Sequence, residues 1–284
     1  MHESKIHAQS REINRIDKKF RKLKRMNQKA LICYIVAGYP DIRTSEDIIT
    51  SLINGGADII EIGIPFSDPI ADGSTIQDAI QNSLTSGTTP DMCLELASRV
   101  RKTFPDIPLI IMTYSNILFR KGYIQFAQQA KESGIDGFII PDISIEEAKE
   151  YLDSVKKIGI STIFLVSPNT SEKRLKIISK ICTGFLYVIS IYGITGERKG
   201  FDEYTIESIK RVKKVIADNL PLAVGFGISN PQHVRYMIDA GADGAIIRSA
   251  IIKKIKEIKN KELLLNTLNR FAHEMKNSCK TEKC

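Results

Sequence analysis

One carboxylate stands inside an otherwise apolar segment of the sequence. Residues 59–65 read Ile-Ile-Glu-Ile-Gly-Ile-Pro, and Glu61 is their only charged side chain. Burial disfavours a negative charge, so we expect the pKa of Glu61 to be raised. A second carboxylate, Asp72, follows in a loop of turn-forming residues that we expect to fold back over the end of this segment.

Two carboxylates in different surroundings can divide the work of catalysis, one carrying a proton and the other acting as a fixed anion. Two structural alternatives remain open for this pair. Glu61 could be a buried glutamate with a partner elsewhere in the fold, and Asp72 could simply shape its turn, because aspartate is common in turns.

Two turns near the C-terminus indicate an anion site. Gly225-Phe226-Gly227-Ile228-Ser229 follows one apolar segment, and Arg248-Ser249-Ala250 lies between another apolar segment and a helical pattern. Backbone N–H groups of glycine turns and helix N-termini bind phosphate, and barrels often build this site after their seventh and eighth strands. The glycines could also be ordinary turn residues.

A third loop has the composition of a mobile lid. Residues 192–200 place three glycines around a charged segment, which suits a loop that closes over substrate and excludes water. A solvated loop without a catalytic role has the same composition.

The elements that must position these residues alternate along the chain. Short, continuously apolar runs, typical of parallel strands covered on both faces, are separated by amphipathic stretches typical of helices. The apolar runs are 30–37, 58–64, 108–114, 137–141, 161–167, 185–191, 221–226 and 244–248, and the helical stretches include 44–54, 91–103, 122–132, 145–156, 203–217 and 230–239. Eight such units favour a single α/β (β/α)8 TIM barrel over a doubly wound sheet.

Local signals mark several element boundaries. Thr44 or Ser45 can cap the first of these helices, and Asn230-Pro231 gives a cap followed by proline at the first helical position. A Gly-x-Asp turn recurs at 56–58, 134–136 and 241–243, where a helix must end before a strand begins.

Composition and charge indicate one domain with a basic N-terminal extension. The chain has 284 residues, 43% hydrophobic and 26% charged, with a net charge of +8. Residues 1–29 alone hold ten Lys or Arg and three acids, a net +7. Ile13, Ile16, Phe20 and Leu23 recur there at helical spacing, which favours an amphipathic helix packed on the domain over a nucleic-acid site. We therefore predict a helical extension over 1–29, a catalytic barrel over 30–274 and a disordered tail over 275–284.

Cysteine and histidine usage predicts neither a disulfide framework nor a metal site. The five cysteines form no C-x-x-C pair, and the four histidines are scattered. The sequence has no apolar run of about 18 residues, and its N-terminus is too polar for a signal peptide. We expect no cofactor, no metal, no membrane or nucleic-acid partner, and a cytoplasmic location.

The block from Glu61 to Gln77, Glu-Ile-Gly-Ile-Pro-Phe-Ser-Asp-Pro-Ile-Ala-Asp-Gly-Ser-Thr-Ile-Gln, closely resembles the signature of the tryptophan synthase α subunit family. The resemblance extends from about Ala30 to the final helix and includes segments 34–40, 112–116, 141–142, 192–196 and 225–229. It implies retro-aldol cleavage of indole-3-glycerol phosphate into indole and glyceraldehyde 3-phosphate, in tryptophan biosynthesis and without a cofactor.

The resemblance also implies roles for individual residues. Glu61 would protonate the indole C3 carbon and help to remove the glycerol hydroxyl proton, while Asp72 would accept the indole N–H and stabilise the positive indolenine. The other matched positions are the lid residue Thr195, the indole-pocket residues Tyr34, Tyr187 and Phe226, the phosphate-site residues Gly196, Gly227, Arg248 and Ser249, and Asp68, Pro69, Asn116 and Asp142 on the face toward a β subunit.

Three positions depart from the family pattern. Arg248 stands where glycine is usual; a cation near phosphate is electrostatically favourable, but its side chain fills space that glycine leaves empty. Ser144 and Ile117 replace common prolines in loops that face the β subunit in the family. These two changes bear on partner docking more than on chemistry.

Three functions are compatible with this pattern. The chain could be the α subunit of an αββα complex that passes indole to a pyridoxal-phosphate β subunit, or a stand-alone lyase that releases indole. It could also be a binding or regulatory barrel with little catalysis, which Arg248 motivates and which the presence of both carboxylates disfavours. Indole production by the purified protein, alone and with a β subunit, separates these functions.

Overall fold

Parallel strands alternate with helices through the computed structural model, which describes residues 14–189, 203–225 and 227–280. The strands within these ranges are β1 (Ala30–Val36), β2 (Ile59–Gly63), β3 (Leu109–Met112), β4 (Gly137–Ile139), β5 (Ser161–Ile163), β6 (Leu165–Val166), β7 (Leu186–Ile189), β8 (Leu222–Gly225) and β9 (Gly244–Ile247). The helices are α1 (Arg15–Arg25), α2 (Ile42–Asn54), α3 (Ser74–Thr85), α4 (Pro90–Thr103), α5 (Ser115–Lys121), α6 (Tyr123–Glu132), α7 (Lys149–Ile158), α8 (Glu172–Ile181), α9 (Glu203–Ile216), α10 (Pro231–Asp239), α11 (Ser249–Glu257) and α12 (Lys261–Ser278).

The strands wrap into a barrel with the order β5-β4-β3-β2-β1-β9-β8-β7-β6, and every neighbouring pair is parallel. The fifth predicted run, 161–167, is one strand interrupted at Phe164. Its first half, β5, pairs with β4, and its second half, β6, pairs with β7, so this run joins the two ends of the sheet and closes the barrel. The predicted (β/α)8 barrel is therefore confirmed.

Helix α1 packs against the amino-terminal end of the barrel. Asn14 caps the helix by accepting the Asp17 N–H, and it also donates to the Ser161 hydroxyl at 2.5 Å. Ile16 is fully buried, and a Cβ built on Gly137 of β4 would lie 2.9 Å from its Cδ1 atom. Burial of Ile16, Phe20 and Leu23 confirms the predicted amphipathic helix; Ile13 lies outside the described residues.

Three aspartates at this end, which we call the floor aspartates, share one arrangement. Each one closes a predicted Gly-x-Asp turn whose glycine has a positive φ. Each carboxylate accepts the backbone N–H of a residue in the neighbouring strand and pairs with a cation from a helix. The sets are Asp58 with Leu31 N (2.9 Å) and Lys276 (2.7 Å), Asp136 with Leu109 N (3.0 Å) and Arg101 (2.8 Å), and Asp243 with Leu222 N (3.0 Å) and Lys213 (2.6 Å).

The start of α2 differs from the predicted start. Asp41, not Thr44 or Ser45, caps this helix, because its carboxylate accepts the N–H groups of Arg43 and Thr44 at 3.0 and 2.9 Å. The helix therefore begins at Ile42. The predicted cap of α10 is confirmed, since the Asn230 side chain accepts the His233 N–H at 2.9 Å.

The final helix continues past the predicted end of ordered structure. Helix α12 runs to Ser278, with Met275 and Cys279 fully buried, and the Lys276 ammonium group donates to Asp58. A disordered tail is therefore wrong for 275–280, because apolar residues continue at helical spacing within a polar composition; residues 281–284 lie outside the described ranges. None of the described helices combines the length and apolar character of a membrane span.

Candidate active site

Glu61 lies on β2 between two neighbouring strands. Tyr34 of β1 and Ile110 of β3 are its register partners, and its side chain is fully buried. Neither carboxylate oxygen has a hydrogen-bond partner within the described part of the chain. Because buried polar groups are almost always paired, a carboxylate left in this way points to a ligand-directed role.

The surroundings of Glu61 bring the pKa of its carboxyl close to neutral pH. Burial raises the pKa of this carboxyl, the Arg248 cation lowers it and the Asp72 charge raises it, with a net value of about 7. The predicted upward direction is confirmed. A carboxyl with a pKa near the working pH can both release and accept a proton, as a general acid and base must.

Asp72 approaches the same space from the loop between β2 and α3. The loop is fixed by the Asp72 N–H, which donates to the Pro69 carbonyl at 3.0 Å, and by the Gln77 amide, which donates to the Asp72 carbonyl at 2.8 Å. The Asp72 side chain is almost completely buried. Its Oδ2 atom accepts the Tyr114 hydroxyl at 2.9 Å.

Tyr114 is a site residue that the sequence pattern does not single out. It follows β3, its hydroxyl accepts the Ala71 N–H at 3.2 Å, and its ring stacks on Phe66 at 5.1 Å. Burial and the Asp72 charge raise the pKa of Tyr114, so its hydroxyl remains a donor. The only sequence signal is a polar aromatic residue at the carboxyl end of a strand, where barrels place active-site groups.

The Arg248 guanidinium reaches both carboxylates. Its Nη2 atom donates to Asp72 Oδ1 at 2.7 Å, and its Nε atom lies 3.8 Å from Glu61 Oε1. The guanidinium carbon lies 4.2 Å from the centroid of the Tyr34 ring, and Nη2 also lies 2.9 Å from Met112 Sδ. The ion pair with Asp72 directs this side chain toward the carboxylates, and the place of Arg248 among the phosphate-site residues stays a prediction.

Tyr34 and Tyr187 are buried beside this cluster, and glycines on adjacent strands make room for them. A Cβ on Gly63 would lie 2.3 Å from the Tyr34 hydroxyl, and one on Gly225 would lie 2.6 Å from the Tyr187 hydroxyl. Burial raises the pKa of both tyrosines. Gly225 thus accommodates a tyrosine, a role that its place in a glycine turn does not reveal.

The predicted phosphate end is described only in part. Gly227 has a φ of +44°, with open space where a Cβ would stand. Ser249 begins α11, and the first N–H groups of a helix lack acceptors within it. Phe226 and the predicted lid over 192–200, including Thr195 and Gly196, lie outside the described residues.

Residues predicted to face a partner lie on loops that contact one another. The Asp142 carboxylate, after β4, accepts the Ser115 N–H at 2.9 Å and the Ser115 hydroxyl at 2.6 Å, at the start of α5. Asn116 is the next residue of α5 and is exposed. The loops after β3 and β4 therefore form one connected surface.

The loop after β2 adds an apolar element to the carboxyl end of the barrel. Asp68 is exposed and Pro69 is half-buried, while the neighbouring Ile70 is 80% exposed. Phe119 on α5 is 74% exposed. Exposed apolar side chains are typical of surfaces that bind another protein where they form one contiguous patch.

Acid–base chemistry is what this arrangement can supply. In the described ranges, no group of three or more His, Cys, Asp or Glu side chains is placed to hold a metal ion. A buried carboxyl with a pKa of about 7 faces a second carboxylate that is fixed by hydrogen bonds, and aromatic rings lie beside them.

Comparisons with known proteins agree over nearly the whole chain. The family model of the tryptophan synthase alpha chain matches residues 20–280. The tryptophan synthase alpha chain of Methanothermobacter thermautotrophicus is 44% identical over 248 residues, which cover 87% of this chain and 91% of that protein.

Solved structures give the same result. The tryptophan synthase alpha chain of Legionella pneumophila has a TM-score of 0.85 at 34% identity, covering 94% of this chain and 98% of that one. A chain of the tryptophan synthase complex of Pyrococcus furiosus has a TM-score of 0.79 at 35% identity, and the alignment covers 88% of this chain and 99% of that chain. This chain therefore belongs to the tryptophan synthase alpha chain family.

Proposed function

We propose that this chain cleaves indole-3-glycerol phosphate into indole and glyceraldehyde 3-phosphate, as the α subunit of a tryptophan synthase. The observation that carries the proposal is the state of Glu61, which is fully buried, has no hydrogen-bond donor among the described residues and has a pKa of about 7. Membership of a family named for the tryptophan synthase alpha chain supports the choice of substrate.

Glu61 carries the proton in this scheme. One proton leaves the glycerol hydroxyl next to the ring and one arrives at indole C3, while the bond between C3 and the hydroxyl-bearing carbon breaks. The electrons of the hydroxyl O–H bond form the aldehyde C=O, so the atoms balance without water or an oxidant. A carboxyl with a pKa of about 7 can serve both transfers near neutral pH.

Asp72 stabilises the charge that this protonation creates. Adding a proton at C3 makes the indole ring nitrogen positive, and an ionised carboxylate that accepts its N–H lowers the energy of that intermediate. Tyr114 holds Oδ2 at 2.9 Å and thereby fixes the orientation of the carboxylate before substrate arrives. Such preorganisation avoids reorganising the carboxylate during the reaction.

The remaining predicted residues complete the site in this proposal. Tyr34 and Tyr187, with Phe226, supply flat walls for the indole ring. Backbone N–H groups at Gly196, Gly227 and Ser249 bind the phosphate, and Thr195 closes with the lid. The described features that support this assignment are the burial of the two tyrosines, the positive φ of Gly227 and the open space where its Cβ would stand.

We propose a β subunit as the partner of the carboxyl-end loops. Asp68, Pro69, Asn116 and Asp142 lie on that surface together with the exposed Ile70 and Phe119. The structural similarity to a chain of the Pyrococcus furiosus tryptophan synthase complex supports this choice. We also propose a cytoplasmic location; the free thiols at Cys33, Cys93, Cys182 and Cys279 are consistent with a reducing compartment, and cell fractionation tests it.

The test is indole release from indole-3-glycerol phosphate by the purified protein, alone and with a β subunit. We expect release that accelerates with the β subunit, and a fall of about 10–100-fold in kcat for Asp72→Asn, because the amide cannot compensate a positive ring. Equal rates with and without a β subunit would favour a stand-alone lyase. Substrate binding without indole release under either condition would favour a binding barrel and contradict the proposal.

A further inference from the structure

Arg248 occupies the space that the proposed function gives to the indole ring. Its guanidinium carbon lies 4.2 Å from the Tyr34 ring centroid, within the range of a direct cation–π contact. A second aromatic ring cannot lie on the same face of Tyr34 while the guanidinium is there. The wall of the proposed pocket is therefore already covered.

The same arginine also takes part of the hydrogen-bonding capacity of Asp72 that the ring would use. Asp72 Oδ1 accepts Arg248 Nη2 at 2.7 Å, and Oδ2 accepts the Tyr114 hydroxyl at 2.9 Å. Both carboxylate oxygens are engaged before any ligand binds. Each carboxylate oxygen can accept a second hydrogen bond, so the indole ring is blocked by the guanidinium that lies against Tyr34 while it is bound to Oδ1.

Displacing the Arg248 side chain breaks its largely desolvated ion pair with Asp72, so the guanidinium needs another counter-ion. The Arg248 side chain is 15% exposed and that of Asp72 1% exposed, and Glu61 Oε1 lies 3.8 Å from Arg248 Nε. Removing one partner from a buried pair is strongly unfavourable. A neutral ligand with a single N–H donor supplies no new anion for the guanidinium.

We propose that Arg248 is a specificity-determining residue that closes the empty site, so that a ligand enters the indole space only by displacing its guanidinium. Free indole is disfavoured because it leaves the arginine without a counter-ion. A phosphorylated substrate is favoured because its phosphate, bound where α11 begins immediately after Arg248, provides one. Both steps rest on the proposed function, which places the indole ring against Tyr34 and beside Asp72.

Indole binding tests the block directly, without catalysis. Calorimetric titration of indole into Arg248→Gly should give a Kd at least about tenfold lower than for the unchanged protein, because the Tyr34 face and Asp72 Oδ1 become free. Arg248→Lys should fall between the two, since lysine can pair with Asp72 but lacks the planar guanidinium that lies against Tyr34. Arg99→Met is the matched control, because it removes an ion-paired arginine from the outer helices and should leave the Kd unchanged.

An unchanged indole Kd in a folded Arg248→Gly protein would overturn the proposal. Crystals of the unchanged protein soaked with indole and glyceraldehyde 3-phosphate provide a test that needs no variant. Displacement of the guanidinium from Tyr34 supports the proposal, and indole bound beside Asp72 with Arg248 unmoved contradicts it. Absence of indole release from indole-3-glycerol phosphate would instead count against the proposed function and leave the binding result standing.

Discussion

The two ends of the barrel differ in the hydrogen-bond donors that they provide to buried carboxylates. At the amino-terminal end, Asp136 accepts the Leu109 N–H and pairs with Arg101 and Arg15, although its side chain is only 1% exposed. At the carboxyl end, Glu61 is equally buried and has no hydrogen-bond donor within the described residues. Burial is therefore common to both ends, and the supply of donors is what differs.

The difference follows from what covers each end. Parallel strands begin with free N–H groups, and the floor aspartates accept them while α1, α4, α9 and α12 supply cations. These contacts stabilise the fold. At the carboxyl end, Glu61 is buried without a hydrogen-bond donor among the described residues, which lowers stability. Its pKa of about 7 suits it to proton transfer. Barrels separate stability and activity between their ends in this way.

The largest expected effect is the loss of activity in Glu61→Gln. The amide cannot carry a proton, so kcat for indole release should fall by about 10³-fold, while substrate still binds. Because Gln is close in size to Glu and removes a buried carboxyl that has no hydrogen-bond donor among the described residues, the resistance of the protein to urea should not decrease. Steady-state kinetics and urea unfolding measure the two quantities, and substantial residual turnover would mean that Glu61 is not the proton carrier.

At the other end, Asp136→Asn should act on stability alone. The change leaves Arg101 without its buried counter-ion, so the free energy of unfolding should fall by about 3–5 kcal/mol. We expect kcat per folded molecule to stay at the level of the unchanged protein. Urea unfolding monitored by circular dichroism checks the first expectation. A fall in kcat for the folded fraction would contradict the separation of the two ends.

The pH dependence of stability should have opposite signs at the two ends. The pKa of Glu61 is raised in the folded state, so its contribution is complete below about pH 4.5 and is lost as the pH rises through about 7, an effect of about 3 kcal/mol. The difference in unfolding free energy between the unchanged protein and Glu61→Gln should therefore fall over this window. A difference that is flat or rises with pH would show that Glu61 titrates normally.

Asp243 provides the contrast in sign. Burial alone would raise its pKa, but hydrogen bonds and charge from Lys213, Lys29 and the Leu222 N–H lower it in net. Its contribution is therefore present above the ordinary pKa of an aspartate and is lost as the pH falls through the lowered value. Comparison with Asp243→Asn measures this loss.

The smallest expected effect is that of Lys213→Met, which removes one of two cations from a floor aspartate. Asp243 keeps Lys29 at 3.0 Å and the Leu222 N–H at 3.0 Å, and the Lys213–Asp243 pair is partly exposed to solvent. We therefore expect a loss of about 1 kcal/mol or less in urea unfolding. A loss as large as that for Asp136→Asn would show that the solvent exposure of a floor aspartate's ion pair does not determine how much that pair stabilises the fold.

The sequence pattern predicts features whose signals are local. A charge inside an apolar run identifies Glu61, and repeated Gly-x-Asp turns identify the helix–strand boundaries at 56–58, 134–136 and 241–243. The second function of those aspartates, accepting an N–H from the adjacent strand, depends on strand register and is not visible in the turn itself.

Arg248 shows where sequence reasoning stops. Its position beside Ser249 predicts proximity to phosphate, but its side chain pairs with Asp72, a residue 176 positions earlier in the chain. The direction of a side chain depends on which partners the closed barrel brings within reach. The same holds for Tyr114, whose hydrogen bonds to the β2–α3 loop exist only in the folded protein.

Barrel closure also has a consequence for biosynthesis on the ribosome. Strand β1 pairs with β9, and the Lys29 N–H donates to the Cys279 carbonyl at 2.8 Å, so the earliest and latest described segments are direct neighbours. Glu61 sits on the strand beside β1, yet its cavity receives Arg248 only after β9 has been translated. A nascent chain must therefore hold β1 with one edge unpaired until β9 has been translated.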